Sequence, residues 1–168
     1  PEWGQQSRSI DFTDNDIHNC ADQFIEVDGG YSNIRMLRNR CFNGPSQPLS
    51  TDYVYAGPVY WIGNILWRAG KGKCNMTSYG RAQAYVFAHN TTATRMTMPN
   101  MKETGTCLIA NNLCLGPTDS GNPAAYSYDR AREHIQITHN ANRVGPESGT
   151  WVAGKQKFAD LSALQEAT

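Results

Sequence analysis

The hydrophobic residues of this chain alternate over short stretches, and each stretch is followed by an asparagine. Two apolar residues, separated by one residue, are followed by an asparagine three positions after the second of them. The pattern recurs at Ile10/Phe12/Asn15, Ile34/Met36/Asn39, Val59/Trp61/Asn64, Tyr85/Phe87/Asn90, Cys107/Ile109/Asn112 and Ile135/Ile137/Asn140. The asparagines are separated by 24, 25, 26, 22 and 28 residues. Internal periods of this size are typical of stacked repeats, in which each unit buries its apolar face against its neighbours.

The clearest repeat reads FIEVDGGYSNIRMLRNRCF. Its first strand is expected to place Ile25 and Val27 on one side, and Phe24, Glu26 and Asp28 on the other. The two glycines that follow permit a sharp change of direction, because glycine tolerates positive φ.

Asn39 ends the second strand of this repeat, and Arg40–Phe42 resumes a third. Asparagine is the non-glycine residue that most readily adopts the left-handed conformation, so Asn39 is expected to make the turn between these strands.

Three short strands in about 25 residues exclude two other repeat architectures. The apolar period of two is not that of helices, and a propeller blade needs about 40 residues. Coiling each repeat once around an axis stacks equivalent residues about 4.8 Å apart, and stacked asparagines can then hydrogen-bond along the column. The sequence therefore predicts one all-β domain over residues 1–168, a parallel β-helix of about six coils with an asparagine ladder.

The apolar spacing near the end of the chain differs from that of the repeats. Phe158, Leu161 and Leu164 are spaced as on one face of a helix, so a short terminal helix is expected there.

Composition restricts the partners of the domain. The 168 residues include 15 Lys and Arg and 15 Asp and Glu, so the formal net charge is zero. The charge therefore gives no support for binding to nucleic acid or to an anionic membrane. No run approaches the roughly 18 apolar residues of a membrane helix. The chain starts at Pro1 without an initiator Met or a leader, which favours a piece of a longer protein.

Three of the five cysteines lie at positions typical of the core: Cys41, Cys107 and Cys114. A disulfide between Cys20 and Cys74 remains an alternative, because the sequence does not show whether their backbones lie close enough together.

Several segments resemble the right-handed parallel β-helix family of secreted bacterial proteins, within the pectate-lyase-like superfamily. They are FIEVDGGYSNIRMLRNRCF, AGPVYWIGNILW, AYVFAHNTT and CLIANNLCLG, and the tail GKQKFADLSALQEAT resembles a segment near the C-terminus of such proteins. The likeness covers roughly residues 10–168. It implies a single-stranded right-handed β-helix, an extracellular or periplasmic location and a polysaccharide partner.

The same resemblance implies that Asn39 and its equivalents occupy the tight turn between the second and third strands of each coil. Longer loops after the third strand would form the walls of a cleft. The N-terminal coils expected of a full-length member are missing, so a truncated member is expected. Exposed coil ends carry unpaired strand edges, which makes end-to-end self-association an expected consequence.

Glu26 and Asp28 are the first candidate site. Two residues apart on one strand, their backbones lie roughly 6.5–7 Å apart on the solvent side. Such carboxylates could bind Ca²⁺, with Asp22 joining them, or act as the acid and base of a glycoside hydrolase. The alternative is that they are solvated or pair with arginines of the next strand, namely Arg35, Arg38 or Arg40.

A second group lies in the segment KGKCNMTSYGR, at Lys71, Lys73, Tyr79 and Arg81. β-Elimination of a uronate polymer needs a group that neutralises the carboxylate and a base that removes the C5 proton. These side chains could supply both, with Lys73 acting beside the acids. The alternative is a flexible surface loop.

Histidine and aromatic residues complete the candidates. His89 and His139 each precede a ladder asparagine, which is typical of a turn residue; His89 is a general base only if it faces the cleft. Tyr53 and Tyr55 are candidates for stacking on sugar rings, whereas Trp61 is expected in the core.

Two functions follow from these candidates. The first is cleavage of an extracellular, uronate-containing or neutral glycan by β-elimination or hydrolysis. The second is a glycan-binding or adhesive solenoid that uses the same groove without chemistry, and fold alone does not choose between them.

Overall fold

A computed structural model describes the backbone of residues 7–45, 49–51, 54–69, 73–75, 84–93, 95–98, 106–115, 126–128, 135–142, 151–153 and 156–158. The regular structure of these residues is entirely β-strand. The strands are β1 (Arg8–Thr13), β2 (Asp16–His18), β3 (Ile25–Glu26), β4 (Ser32–Leu37), β5 (Arg40–Gly44), β6 (Leu49–Ser50), β7 (Val59–Ile62), β8 (Ile65–Ala69), β9 (Lys73–Asn75), β10 (Ala84–Ala88), β11 (Thr91–Thr92), β12 (Arg95–Met98), β13 (Thr106–Ala110), β14 (Leu113–Cys114), β15 (Tyr126–Tyr128), β16 (Ile135–Thr138), β17 (Ala141–Asn142), β18 (Trp151–Ala153) and β19 (Gln156–Phe158).

Every third strand joins the same side of the molecule. The first sheet has the order β1-β4-β7-β10-β13-β16, and the second has the order β2-β5-β8-β11-β14-β17. The third side consists of the pair β3-β6 and the sheet β9-β12-β15-β18-β19. Pairing is parallel except between β18 and β19. The chain is therefore an all-β parallel solenoid, as the repeat pattern predicts.

We use "coil" for one circuit of the three sides, so that the first coil comprises β1–β3 and the second β4–β6. About three coils, β1–β9, are described with only short gaps. That is fewer than the predicted six, although strands of the later repeats extend the same sheets.

The core lies inside the coils. In the first sheet Ile34 pairs with Val59 and Met36 with Trp61, and all four side chains point inward and are buried. Burial of Trp61 confirms its expected place in the core.

The second sheet contributes the cysteines of the core. Cys41 and Cys114 lie on its inner side, and Cys107 lies inside the first sheet; all three are buried, as expected. Burial raises the pKa of the Cys41 and Cys107 thiols to about 12. Cys20 is also a free thiol, whereas the side chain of Cys74 lies outside the described residues.

The repeated asparagines lie one above another at the corner between the first and second sheets. Each of Asn39, Asn64, Asn90 and Asn112 donates its backbone N–H and its side-chain amide to Oδ1 of the asparagine in the following coil, at 2.9–3.1 Å. Their amides also donate to a carbonyl in the preceding coil, such as Phe12 O for Asn39. This arrangement satisfies buried polar groups that would otherwise be costly.

The turn at this corner differs from the prediction in one respect. The left-handed residue is the one before each asparagine, for example Arg38 (φ 54°) and Gly63 (φ 70°), rather than Asn39 itself. The asparagine amide has to point along the column, and the preceding residue therefore absorbs the change of chain direction.

Two other expectations are wrong in detail, and the terminal helix is almost untested. Phe24 is buried rather than outward, with its ring against Gly44, because the strand around it is reduced to Ile25–Glu26. Asp28 consequently lies in a turn and not on a strand. Phe158 ends strand β19; the rest of the predicted terminal helix lies outside the described residues.

Candidate functional site

An aromatic column occupies the outer face of the second sheet. His18, Phe42 and Trp67 lie at paired positions in three consecutive coils. The rings of His18 and Phe42 stack with centroids 5.0 Å apart and an angle of 23° between their planes. Trp67 is 52% exposed. We refer to these three residues as the aromatic column.

Apolar side chains continue this face beyond the column. Ile65 lies beside Trp67 and is 46% exposed, and Leu113 and Leu115 occupy the same outward positions two coils further on. A soluble sheet usually places polar residues on its outer face. This face therefore carries several exposed apolar side chains beside the ion pair of Asp16 and Arg40, which makes it a candidate ligand surface.

Sequence reasoning missed this surface, although a signal for it exists. The first and third residues after each ladder asparagine point outward, because the second points into the core. Reading only these positions in the sequence yields Asp16/His18, Arg40/Phe42, Ile65/Trp67, Thr91/Ala93, Leu113/Leu115 and Ala141/Arg143.

The predicted acids lie on the third side, in the first coil. Glu26 and Asp28 are both exposed and line one hollow of about 410 Å³. Ser50 of the next coil donates its hydroxyl to Oδ1 of Asp28 at 2.8 Å. Gln23 bridges Glu26 and Asp22. In the amide orientation that satisfies its hydrogen bonds, the side-chain nitrogen of Gln23 donates to Oε1 of Glu26 at 2.7 Å and to Oδ2 of Asp22 at 3.1 Å.

The floor of this hollow is apolar and includes Ile10, Phe12, Ile34 and Met36. The hollow is thus lined by inward side chains of the first two coils.

A three-ligand metal site does not form at the acids. Among the residues that the structure describes, which include Asp22, Glu26 and Asp28, no three His, Cys, Asp or Glu side chains come together as metal ligands. Calcium binding stays a prediction.

The second predicted group is only partly described. Lys73 begins β9, which contacts β6, and β6 pairs with β3. One strand therefore separates the backbone of Lys73 from that of Glu26 on the third side. Lys71, Tyr79, Arg81 and Tyr53 lie outside the described residues.

Tyr55 is 40% exposed, and its backbone N–H donates to Gly30 O at 3.1 Å, so it lies beside the third side of the second coil. It is not part of the aromatic column.

His89 is a turn residue, as its register predicts. It has a φ of 56°, and His139 has a φ of 52° in the equivalent position. His89 is exposed at the corner between the first and second sheets, whereas Glu26 lies on the third side three coils earlier. The structure does not bring the two together.

The arginines of the second coil bind acids other than Glu26 and Asp28. They form ion pairs with the first coil, each through two hydrogen bonds: Arg35 with Asp11, Arg38 with Asp14 and Arg40 with Asp16. The alternative pairing of Glu26 and Asp28 with these arginines is therefore wrong.

The same contacts shift the ionisation of these groups. Hydrogen bonding and charge from Arg38 hold the pKa of the Asp14 carboxyl below its ordinary value, and the Asp14 carboxylate in turn raises the pKa of Arg38. The hydrogen bond and charge of Asp16 raise the pKa of Arg40 in the same way.

Comparison with protein-family models, with curated proteins and with solved structures finds no match for this chain. Within the described residues, no helix is long and apolar enough to cross a membrane.

Proposed function

We propose that this protein is a polysaccharide-binding β-solenoid that recognises its ligand through the aromatic column. The observation that carries the proposal is the alignment of His18, Phe42 and Trp67 on the outer face of one sheet, with Trp67 half exposed. Aromatic rings offer large apolar faces to the C–H groups of sugar rings while leaving the sugar hydroxyls in water.

The three residues have different roles in this proposal. His18 and Phe42 stack on each other, so a sugar cannot lie between their rings. Trp67 supplies the main stacking surface, and Ile65 widens it. Phe42 extends the apolar contact, and the ring nitrogens of His18 bond sugar hydroxyls.

Rigidity of the platform supports binding. The strands that carry the column are neighbours in a parallel sheet, about 4.8 Å apart, and Cys41 and Leu66 anchor them in the core. A ligand that lies along the solenoid axis would contact successive coils without an ordering cost in the protein.

The sequence resemblance supports the ligand class. We assign the chain to the pectate-lyase-like type of right-handed β-helix as part of this proposal, with an extracellular or periplasmic location. An extended glycan matches the length of a face that spans several coils.

Affinity electrophoresis tests the proposal. Wild-type protein is run through native gels that contain uronate-rich or neutral polysaccharides, and retardation by at least one of them is expected. Trp67→Ala should abolish that retardation. Tyr55→Ala is the matched control, because it removes an exposed aromatic residue outside the column.

Two outcomes would overturn the assignment of the site. One is unchanged retardation of Trp67→Ala. The other is loss of retardation in Tyr55→Ala alone, which would place the ligand beside the third side, where the sequence predicts it. Absence of retardation by every glycan would reject glycan binding itself.

Glycan cleavage is the second candidate. Glu26 and Asp28 line the same hollow, so two carboxyl groups lie at one place, and Ser50 donates a hydrogen bond to the Asp28 carboxylate. Either could act as acid or base on a sugar that reaches this hollow.

A further inference from the structure

A second row of outward side chains runs beside the aromatic column. Asp16, Arg40 and Ile65 lie at paired positions in three consecutive coils. Each precedes the column residue of its own strand by two positions, and alternate residues of a strand point to the same face about 7 Å apart. A sugar chain that lies on the aromatic column therefore passes within reach of this row.

Arg40 and Asp16 form an ion pair within the row. Nε and Nη2 of Arg40 donate to the two carboxylate oxygens of Asp16, which uses one edge of the guanidinium. Further N–H groups of Arg40 and further lone pairs of Asp16 are left for a ligand, and the two side chains are 62% and 47% exposed. The pair thus offers both donors and acceptors while it carries no net charge.

This combination suits a sugar hydroxyl better than a sugar carboxylate. A hydroxyl group both donates and accepts, so it can bond the carboxylate of Asp16 and the guanidinium of Arg40 together. A uronate carboxylate only accepts. It would have to share the guanidinium with Asp16 and would lie close to a charge of its own sign, which weakens binding.

The distance from Trp67 fits a neighbouring unit of a sugar chain. Arg40 lies one coil from Trp67 along the solenoid axis and two residues across the sheet, so their backbones are about 8 Å apart on the diagonal. A sugar that stacks on Trp67 therefore leaves the next unit of the chain over the ion pair.

We propose that the pair of Asp16 and Arg40 is a hydroxyl-binding subsite that makes this face selective for neutral glycans over uronate polymers. The inference rests on the proposed function, since it requires a glycan on the aromatic column. Asp16 determines the selectivity, because its carboxylate occupies the guanidinium edge that would otherwise bind a uronate. Arg40 holds that carboxylate in place and donates to the same sugar unit.

Polysaccharides that differ only in charge test the selectivity. Mannan is paired with its C6-oxidised form and polygalacturonate with its carboxyl-reduced form, and any other polysaccharide that retards the protein is treated in the same way. Bio-layer interferometry with the 168-residue chain, at one fixed ionic strength, measures the affinity for both members of each pair. For at least one pair, the neutral form should bind at least tenfold more tightly than the uronate form.

Asp16→Asn should remove this preference. It keeps the size of the side chain but deletes its charge and releases the fork of Arg40 to a uronate carboxylate. The affinity for the uronate form should therefore rise at least tenfold relative to that for the neutral form.

Asp14→Asn is the matched control. Asp14 forms the equivalent two-bond pair with Arg38 between the same coils, and its side chain is 57% exposed. It lies at the corner between the first and second sheets and not beside the aromatic column. This variant should keep the wild-type preference, and circular dichroism melts should confirm that both variants are folded.

Trp67→Ala distinguishes a failure of the subsite from a failure of the proposed function. Binding that Trp67→Ala abolishes, but that is equal for both members of every pair, would overturn the subsite alone. So would a preference that Asp16→Asn leaves unchanged or that Asp14→Asn removes equally. Absence of binding to every polymer, or binding that Trp67→Ala leaves unchanged, would overturn the proposed function and this inference with it.

Discussion

Asn39 donates both its backbone N–H and its side-chain amide to Oδ1 of Asn64, at 2.9 and 3.1 Å. Asn39 in turn accepts the equivalent pair from Asn15. One fully buried side chain thus joins three consecutive coils.

Asn39→Leu should destabilise the protein by about 3 kcal/mol, because it removes the hydrogen-bond partner of the part-buried Phe12 carbonyl and of the Asn15 donors, and leaves Asn64 Oδ1 without its two donors. Urea unfolding measures the loss. Asn43→Gly is the control: Asn43 is an exposed asparagine with a φ of 58° outside the column, and its replacement should change stability by no more than about 0.5 kcal/mol. Equal effects of the two changes would contradict a structural role for the column.

The left-handed positions of the corner give a pair of opposite predictions. His89→Gly should stabilise the fold by about 0.5 kcal/mol, because glycine adopts a φ of 56° without strain. Gly63→Ala should destabilise it by about 1–2 kcal/mol. A Cβ on Gly63 would meet Arg38 Cγ at an ordinary 3.4 Å, so any loss reflects backbone conformation and not a clash.

Thermal unfolding of both variants checks these signs. A less stable His89→Gly would mean that the imidazole makes a contact worth more than the strain. The same variant should retain all glycan binding, since His89 lies away from the aromatic column.

The ion pair between Asp14 and Arg38 predicts a dependence on pH. The pKa of Asp14 is lower in the folded than in the unfolded chain, so the pair contributes stability above the unfolded pKa and loses it as pH falls through the folded pKa. Asp14→Asn should therefore lower the urea midpoint at neutral pH, and the two midpoints should converge once the pH has fallen through the lowered pKa of Asp14. A difference that persists undiminished at low pH would show that the Asp14 carboxylate is not the source.

Glu26→Gln and Asp28→Asn separate binding from cleavage. Both acids lie on the third side, so we expect each variant to be retarded by glycans like the wild type. We also expect wild-type protein to release no unsaturated sugar and no new reducing ends. Product that forms with the wild type and disappears with either variant would establish cleavage and contradict a purely binding function.

Much of the fold can be predicted from the spacing of one residue type. Asparagines separated by 22 to 28 residues set the register of the first two sheets, because the apolar residues before each one must point inward. The buried positions of Trp61, Cys41 and Cys107 follow from that register. The conformation of the corner does not follow from that register. The hydrogen bonds of the column fix the conformation of each asparagine, so the left-handed turn falls on the preceding residue, which can be as different as Arg38 and Gly63.

The candidate site was harder to predict because the repeat specifies only inward positions. Outward residues such as Phe42 and Trp67 are unconstrained by packing, and their alignment becomes visible only when the register is known. Phe24 shows the opposite difficulty: irregular backbone beside a two-residue strand lets consecutive residues Phe24 and Ile25 both reach the core.

Calorimetric titration of a retained glycan into wild-type and Trp67→Ala protein tests the central claim most directly. The affinity of oligosaccharides should rise with their length until they span the three coils of the aromatic column. Trp67→Ala should bind the longest oligosaccharide at least tenfold more weakly than the wild type, a loss of about 1.4 kcal/mol in binding free energy. An identical affinity of both proteins would show that the column is not the binding site and would contradict the account.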